Sequence, residues 1–275
     1  MKISATSALV LNWTASGIYT GPKVLSYLNS LDLSEGNEML SRFKEDQHYM
    51  HTQTVSGRKF YMLQSSKKWL SRFEAKGNDL QVINPGAGIA PYSAAIAELF
   101  PSAKLWDIDL YSMEEKALQL KKTGYGNIQC ITCDLNQIEN WTKQLIETGY
   151  MPDQPGIMIL EGITYYLSTA TLKAIFSWAK QHQIHVMGDW GLPFEIVTEA
   201  HRKYPIGVFG TIGEMTQHPG IHFYDRETFR SLLQEAGFEK IDFTPITNVQ
   251  LERTGDTVPF TEPNSCWIEI FEAEA

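Results

Sequence analysis

The chain of 275 residues has only three cysteines, no long apolar run and no excess of positive charge, and each shortage excludes something. Three cysteines cannot build a disulfide framework. Cys130 and Cys133 form a C-x-x-C, but residues 127–133 read as a strand, where a spacing of three turns the two side chains to opposite faces. No second cysteine pair is there to complete a zinc site, so these are expected to be small, half-buried residues, and no metal is expected. No segment approaches the roughly 20 apolar residues that span a bilayer, which excludes a membrane partner of that kind. Ser and Thr interrupt the short apolar patch of residues 1–12, leaving no continuous signal-peptide core. That segment is read as part of a first helix, and the protein as cytoplasmic. A formal net charge of −9 argues against nucleic acid, whose backbone calls for a basic face.

What is present is an ordinary globular composition, 43% hydrophobic and 20% charged, in a chain long enough to bury a full core. Residues 1 to about 78 read as a helical cap; Trp69 and Phe73 stand four apart, as on a helix face. Gly77-Asn-Asp79 stops that helix. From residue 79 onward strands at 81–84, 104–108, 128–132, 156–160 and 185–188 alternate with helices at 92–100, 112–122, 136–148 and 168–181, which implies a parallel, doubly wound sheet. Residues 192–223, rich in Gly and Pro, read as a long irregular excursion, expected to form a lid. A helix follows at 225–236, with Asp225 suited to its first turn and Gly237 to its stop. Strands at 240–245 and 266–271, joined by a polar loop without helical pattern, close the chain as an antiparallel pair. The expected fold is α/β, with a seven-stranded, mostly parallel sheet.

The densest signal is Leu80-Gln-Val-Ile-Asn-Pro-Gly-Ala-Gly-Ile-Ala90, an apolar strand breaking into a glycine turn, with Asp109 about twenty residues on at the end of the second strand. This is how an open α/β sheet holds an adenosine-containing cofactor: glycines let the backbone approach, and the acid accepts hydrogen bonds from ribose hydroxyls. A nicotinamide-binding domain and a methyltransferase domain share these first strands and diverge later. A final helix followed by two strands favours the methyltransferase. So does Asp134 at the tip of the third strand, which can receive the adenine amine, or cap the next helix, or both.

With Gln81-Val-Ile-Asn-Pro-Gly-Ala-Gly88, Leu160-Glu-Gly-Ile-Thr-Tyr-Tyr-Leu167 and the upstream Gly57-Arg58, the chain resembles the leucine carboxyl methyltransferase family, which includes O-methyltransferases of polyketide biosynthesis. Pro85 stands where the family has leucine, and Ile89-Ala-Pro-Tyr-Ser93 replaces its usual Asp-Thr/Ser-Arg continuation. No second basic residue matches near Asn12. The resemblance implies a class I, Rossmann-like fold with S-adenosylmethionine as cofactor. Arg58 would pair with the methionyl carboxylate and Glu161, followed by Gly162 and Tyr165, with the amino group. Asn84, Gly86, Ala87 and Gly88 would pass under that moiety. Asp109 with Leu110 would hold the ribose, and Asp134 with Leu135 the adenine. On the acceptor side the candidates are Tyr165, Tyr166, Trp190, His218 and His222; the two histidines form His-x-x-x-His without an acid ligand nearby. The implied activity is O-methylation of a small-molecule carboxylate or hydroxyl. Protein carboxyl methylation and a catalytically silent binder remain open beside it.

Overall fold

The computed structural model describes residues 1, 3–216 and 220–275, with backbone only at 215 and 216. Helices α1 (Ala5–Asn12), α2 (Pro22–Asn29), α3 (Ser34–Leu40) and α4 (Glu45–Ala75) precede the sheet. α4 buries His51, Thr54, Val55, Arg58 and Met62 along one stripe, the spacing of a helix face turned to a core. It ends ahead of Gly77, whose φ of +75° suits a helix stop. α2 has Gly21 at its N-cap and so no capping side chain of its own. Glu98 supplies the missing acceptor from elsewhere in the chain, taking bonds from Lys23 N at 3.2 Å and Val24 N at 3.1 Å.

The rest alternates as β1 (Gln81–Pro85), α5 (Tyr92–Leu99), β2 (Lys104–Asp109), α6 (Met113–Lys122), β3 (Ile128–Thr132), α7 (Ile138–Glu147), β4 (Gly156–Leu160), α8 (Thr169–Gln181) and β5 (Ile184–Gly191). Then come α9 (Lys203–Thr216), α10 (Arg226–Glu235), β6 (Lys240–Pro245), α11 (Ile246–Thr254) and β7 (Ile268–Glu274). The strands form one sheet in the order β3-β2-β1-β4-β5-β7-β6, parallel except for β7, which runs antiparallel to both β5 and β6. β1, β4 and β5 are buried along their whole length, as central strands covered on both faces must be. Strand order reverses between β1 and β4, the switch point where such sheets bind ligands. Cys130, Cys133 and Cys266 are free thiols.

Three sequence expectations change. The excursion at 192–223 contains a 3₁₀ turn, Glu199–His201, and the helix α9. Pro205 sits in the first turn of α9, where its missing N–H costs nothing. The expected loop between the last strands contains α11, whose Ile246 and Val249 would lie 3.8 Å from a Cβ at Gly57 of α4. A nine-residue helix with so little pattern of its own is sustained by that packing. The last strand begins at Ile268, two residues beyond the expected start, and runs to Glu274.

Candidate active site

At the switch point β1 runs into Gly86-Ala-Gly88. Gly86 has φ +73°, and a Cβ there would stand 2.6 Å from Ile163 Cγ1, so conformation and space both demand glycine. The turn is held from several sides. Gly88 N donates to Asp109 Oδ2 at 2.8 Å, Lys116 Nζ donates to Gly88 O at 2.9 Å, and the Tyr27 hydroxyl donates to Ile89 O at 2.9 Å. Beneath lies a buried network in which Lys116 Nζ is 2.7 Å from Asp107 Oδ2, while Asn84 Nδ2 (3.1 Å) and the Ser93 hydroxyl donate to Asp107 Oδ1. Asn84 therefore borders the site but spends its amide inward. Asp107 serves the interior, and Asp109 is the acid left at the rim.

β4 and β5 end side by side, with Leu160 registered on Gly188, so the next residues, Glu161 and Asp189, are neighbours. Both face α4. Glu161 Oε1 lies 3.1 Å from Arg58 Nε and 2.7 Å from Lys59 Nζ, and Asp189 Oδ2 lies 3.6 Å from Arg58 Nη1. Arg58 Nη1 also donates to the Tyr165 hydroxyl at 3.1 Å, and Gly162 N donates to Asp189 Oδ1 at 2.7 Å. Gly162 has φ +69°, and a Cβ there would stand 3.0 Å from Arg58 Nη2, so glycine lets the guanidinium pass. Two cations and two carboxylates balance, which is the condition for burying them. Burial would raise Glu161, but Lys59 and Arg58 outweigh it and hold the carboxyl below its usual value. Asp189, more deeply enclosed, is pushed up by burial to about 6 against the pull of Arg58 and Gly162.

A cavity of about 650 Å³ opens over these elements. Arg58, Asn84, Gly86, Ala87, Gly88, Asp109, Leu110, Asp134, Leu135, Glu161, Gly162 and Tyr165 all line it. Asp134 does not cap the following helix: α7 starts at Ile138, and Asp134 Oδ1 instead accepts from Asn136 N at 2.9 Å. The far end is apolar and aromatic, with Val10 and Leu11 on α1, Trp13 just after it, His51 and Val55 on α4, Val208 and Phe209 on α9, and Trp267 before β7. Among the acceptor-side candidates, Tyr165 and Tyr166 line the cavity; burial pushes the Tyr166 phenol to about 12. His222 is exposed, lies outside the lining and gives its backbone N–H to Tyr165 O at 2.8 Å. Trp190 is a packing residue, stacked on Phe229 at 4.6 Å and donating Nε1 to Tyr224 O. His218 lies outside the described residues.

Lys59, Asp189 and His51 were missed. Lys59 adjoins Arg58 and supplies a second cation that no residue near Asn12 provides. Asp189 had a signal, an acid at the tip of β5 beside the acid at the tip of β4. His51 stands seven residues before Arg58, two turns along the same helix face. Among the described residues no group of His, Cys, Asp and Glu could hold a metal ion, and no helix is long and apolar enough to cross a membrane.

The sheet order, with antiparallel β7 between β5 and β6, and the glycine turn and acid at the switch point define a class I, Rossmann-like methyltransferase fold. The sequence model of the leucine carboxyl methyltransferase family matches residues 38–180, just over half of the chain. The chain belongs to that family and is an S-adenosylmethionine-dependent methyltransferase. No curated protein matches it. Among solved structures it is similar to a DUF574 family protein of Streptomyces avermitilis (TM-score 0.59, 9% identity, covering 96% of this chain and 99% of that one). It is also similar to a protein described as a candidate methyltransferase from Thermobifida fusca (TM-score 0.58, 12% identity, 81% and 82%). A third likeness is to a protein described as a candidate O-methyltransferase from Nostoc punctiforme (TM-score 0.50, 14% identity, 84% of this chain). The chain spans 61% of the length of the Nostoc protein. At these identities the likeness concerns the fold alone.

Proposed function

We propose that the protein methylates an oxygen of a small molecule, a carboxylate or a hydroxyl. The observation that carries this reading is the convergence of a balanced charge cluster, a glycine turn, a rim acid and an aromatic end on one cavity. S-adenosylmethionine supplies an activated methyl group on a sulfonium. Arg58, with Lys59 beside it, is assigned to the methionyl carboxylate and Glu161 to the ammonium group. A zwitterion adds one charge of each sign, so it enters this cluster without upsetting the balance. The backbone of Gly86, Ala87 and Gly88 is assigned to close approach, Asp109 with Leu110 to the ribose, and Asp134 with Leu135 to the adenine. Asp189 does not line the cavity and is assigned to positioning Arg58 and Gly162.

Transfer to oxygen asks chiefly for alignment and for exclusion of water. Residues 1–78 are read as the cap that walls the cavity and residues 192–223 as its lid, because α1, α4 and α9 contribute its apolar lining. An apolar end walled by the buried side chains of Trp13, Val55, Val208 and Trp267 favours a compact ring or chain over a polar peptide tail. The test is titration with S-adenosylmethionine, S-adenosylhomocysteine and NAD, followed by tritiated-methyl transfer to small carboxylates, phenols and leucine-ended peptides. Binding of the first two ligands with transfer to small molecules is expected. Transfer to the peptides alone would overturn the reading.

A further inference from the structure

We propose that His51 contacts the methyl acceptor and takes its proton, and that this acceptor is a ring-bearing hydroxyl compound held among aromatic side chains. The inference rests on the oxygen-methylation reading and sharpens it to one acceptor class. His51 is 2% exposed and lines the cavity, yet its Nε2 has no hydrogen-bond partner among the described residues. A buried ring nitrogen without a partner is costly, and a ligand hydroxyl would remove the cost. The ring sits 4.5 Å from Trp13 and 5.1 Å from Trp267, both of which also line the cavity, with Phe43 and Tyr204 behind. Flat aromatic walls of this kind suit a ring.

The charges decide between hydroxyl and carboxylate. Among the described residues Arg58 and Lys59 are the only cations lining the cavity, and both are already paired with Glu161. Seven residues of helix, about 10 Å of rise, separate His51 from Arg58. An acceptor carboxylate at the aromatic end would therefore lack a protein cation of its own, whereas a hydroxyl needs only the one neutral nitrogen. Burial, with His48 nearby, pushes the His51 imidazolium down to about 3, which keeps the ring neutral. In the transfer an oxygen lone pair forms the new O–C bond and the C–S pair stays on sulfur. The O–H proton passes to the lone pair of Nε2 and leaves to water with the product. An imidazole so hard to charge is a weak base toward a resting phenol. It suffices once the oxygen has begun to bond to carbon and carries positive charge.

The probes are 2-naphthol and 2-naphthoate, one ring system bearing either group, titrated into protein loaded with S-adenosylhomocysteine. Naphthol is expected to bind at least tenfold tighter. His51→Phe keeps the aromatic packing and removes the nitrogen. It should weaken naphthol at least tenfold and cut tritiated-methyl transfer to naphthol about 100-fold, while S-adenosylhomocysteine affinity stays within twofold. His51→Gln carries an amide that reaches the position of Nε2 and can hold the hydroxyl but is a far poorer proton acceptor, so it should recover binding without recovering transfer. Tighter binding of naphthoate, no binding of either probe, or a His51→Phe protein that binds and methylates naphthol normally would overturn the proposal. So would a full return of transfer in His51→Gln. Failure of the wild-type protein to bind S-adenosylhomocysteine would instead sink the underlying reading.

Discussion

Helix α4 meets buried acids at two places, and the two are built differently. Near its middle, Arg58 and Lys59 face Glu161 and Asp189 at the cavity, and charge neutralises charge. Farther along, Tyr61, Ser65 and Trp69, spaced four apart on one face, close on Glu272 of β7. The Tyr61 hydroxyl donates at 2.8 Å, Trp69 Nε1 at 3.1 Å and the Ser65 hydroxyl to the same carboxylate. His185 Nε2 lies 3.3 Å away, its ring 3.8 Å from that of Trp69, and Lys68 reaches in from the surface. None of these residues lines the cavity. A carboxylate held mainly by neutral donors, with Lys68 its one cation at the surface, ties α4 to the inner strand β7. A cluster of opposite charges bordering a cavity can exchange partners with a ligand that carries both signs.

The largest effect should come from breaking the closed cluster. Glu272→Ala strands several buried donors, and we expect a loss of about 3–5 kcal/mol in urea unfolding. S-adenosylhomocysteine affinity of the folded protein should stay within about twofold. A parallel loss of affinity would mean that the two clusters act as one. The pair also differs in the sign of its pH dependence. Burial raises Glu272, but His185, Ser65, Trp69 and Tyr61 outweigh it and hold the carboxyl well below its usual value. Its contribution is therefore present above the unfolded value of 4.5 and lost as pH falls. Asp189 goes the other way, from 3.8 up to about 6, so its contribution is complete below about 4 and lost as pH rises through 6. Relative to Asp189→Asn, the wild-type protein should lose about 2 kcal/mol of stability between pH 4 and pH 6. Parallel stability curves for the two proteins would refute the raised value.

How much of this was legible in the sequence follows the same division. The alternation of β1 to β5 with helices, and the acids Asp109 and Glu161 at strand tips, could be read because apolar runs end abruptly at glycine or acid. α9 could not, since Pro205, Gly207, Gly210 and Gly213 are local signals for irregular chain that packing overrides. The start of β7 slipped by two residues because a strand buried on both faces has no alternation to fix its ends. Lys59 and His51 are ordinary helix residues until the fold brings Glu161 to one and two tryptophans to the other. Their roles depend on contacts that no local pattern encodes.

On the cavity side, Arg58→Ala and Glu161→Ala should each weaken S-adenosylhomocysteine by about 100-fold, or 2.7 kcal/mol, because a charge-assisted contact is lost and its partner is stranded. Adenosine, which lacks the amino acid end, should weaken less than about threefold. Equal losses for the two ligands in calorimetry would place these residues with Glu272, in service of the fold.

The smallest effect is expected at Asp109, which resembles neither cluster. It is only half-buried at the cavity rim, and it already serves the protein: Oδ2 accepts from Gly88 N at 2.8 Å and Oδ1 from Tyr111 N at 3.3 Å. Water competes for its remaining lone pairs, so the ribose contact is worth less than one made in the buried cluster. Asp109→Ala should weaken S-adenosylhomocysteine about tenfold, or 1.4 kcal/mol, and adenosine by the same factor, since both carry the ribose. Asp109→Asn separates the two duties of the side chain. Its amide oxygen can still accept from Gly88 N and keep the turn in place, while the charge that strengthens the ribose contact is gone. We therefore expect affinity between those of the wild-type and alanine proteins for both ligands. If the asparagine variant matched the wild type, holding Gly88 would be the residue's whole contribution, and the ribose would have to be bound elsewhere on the rim.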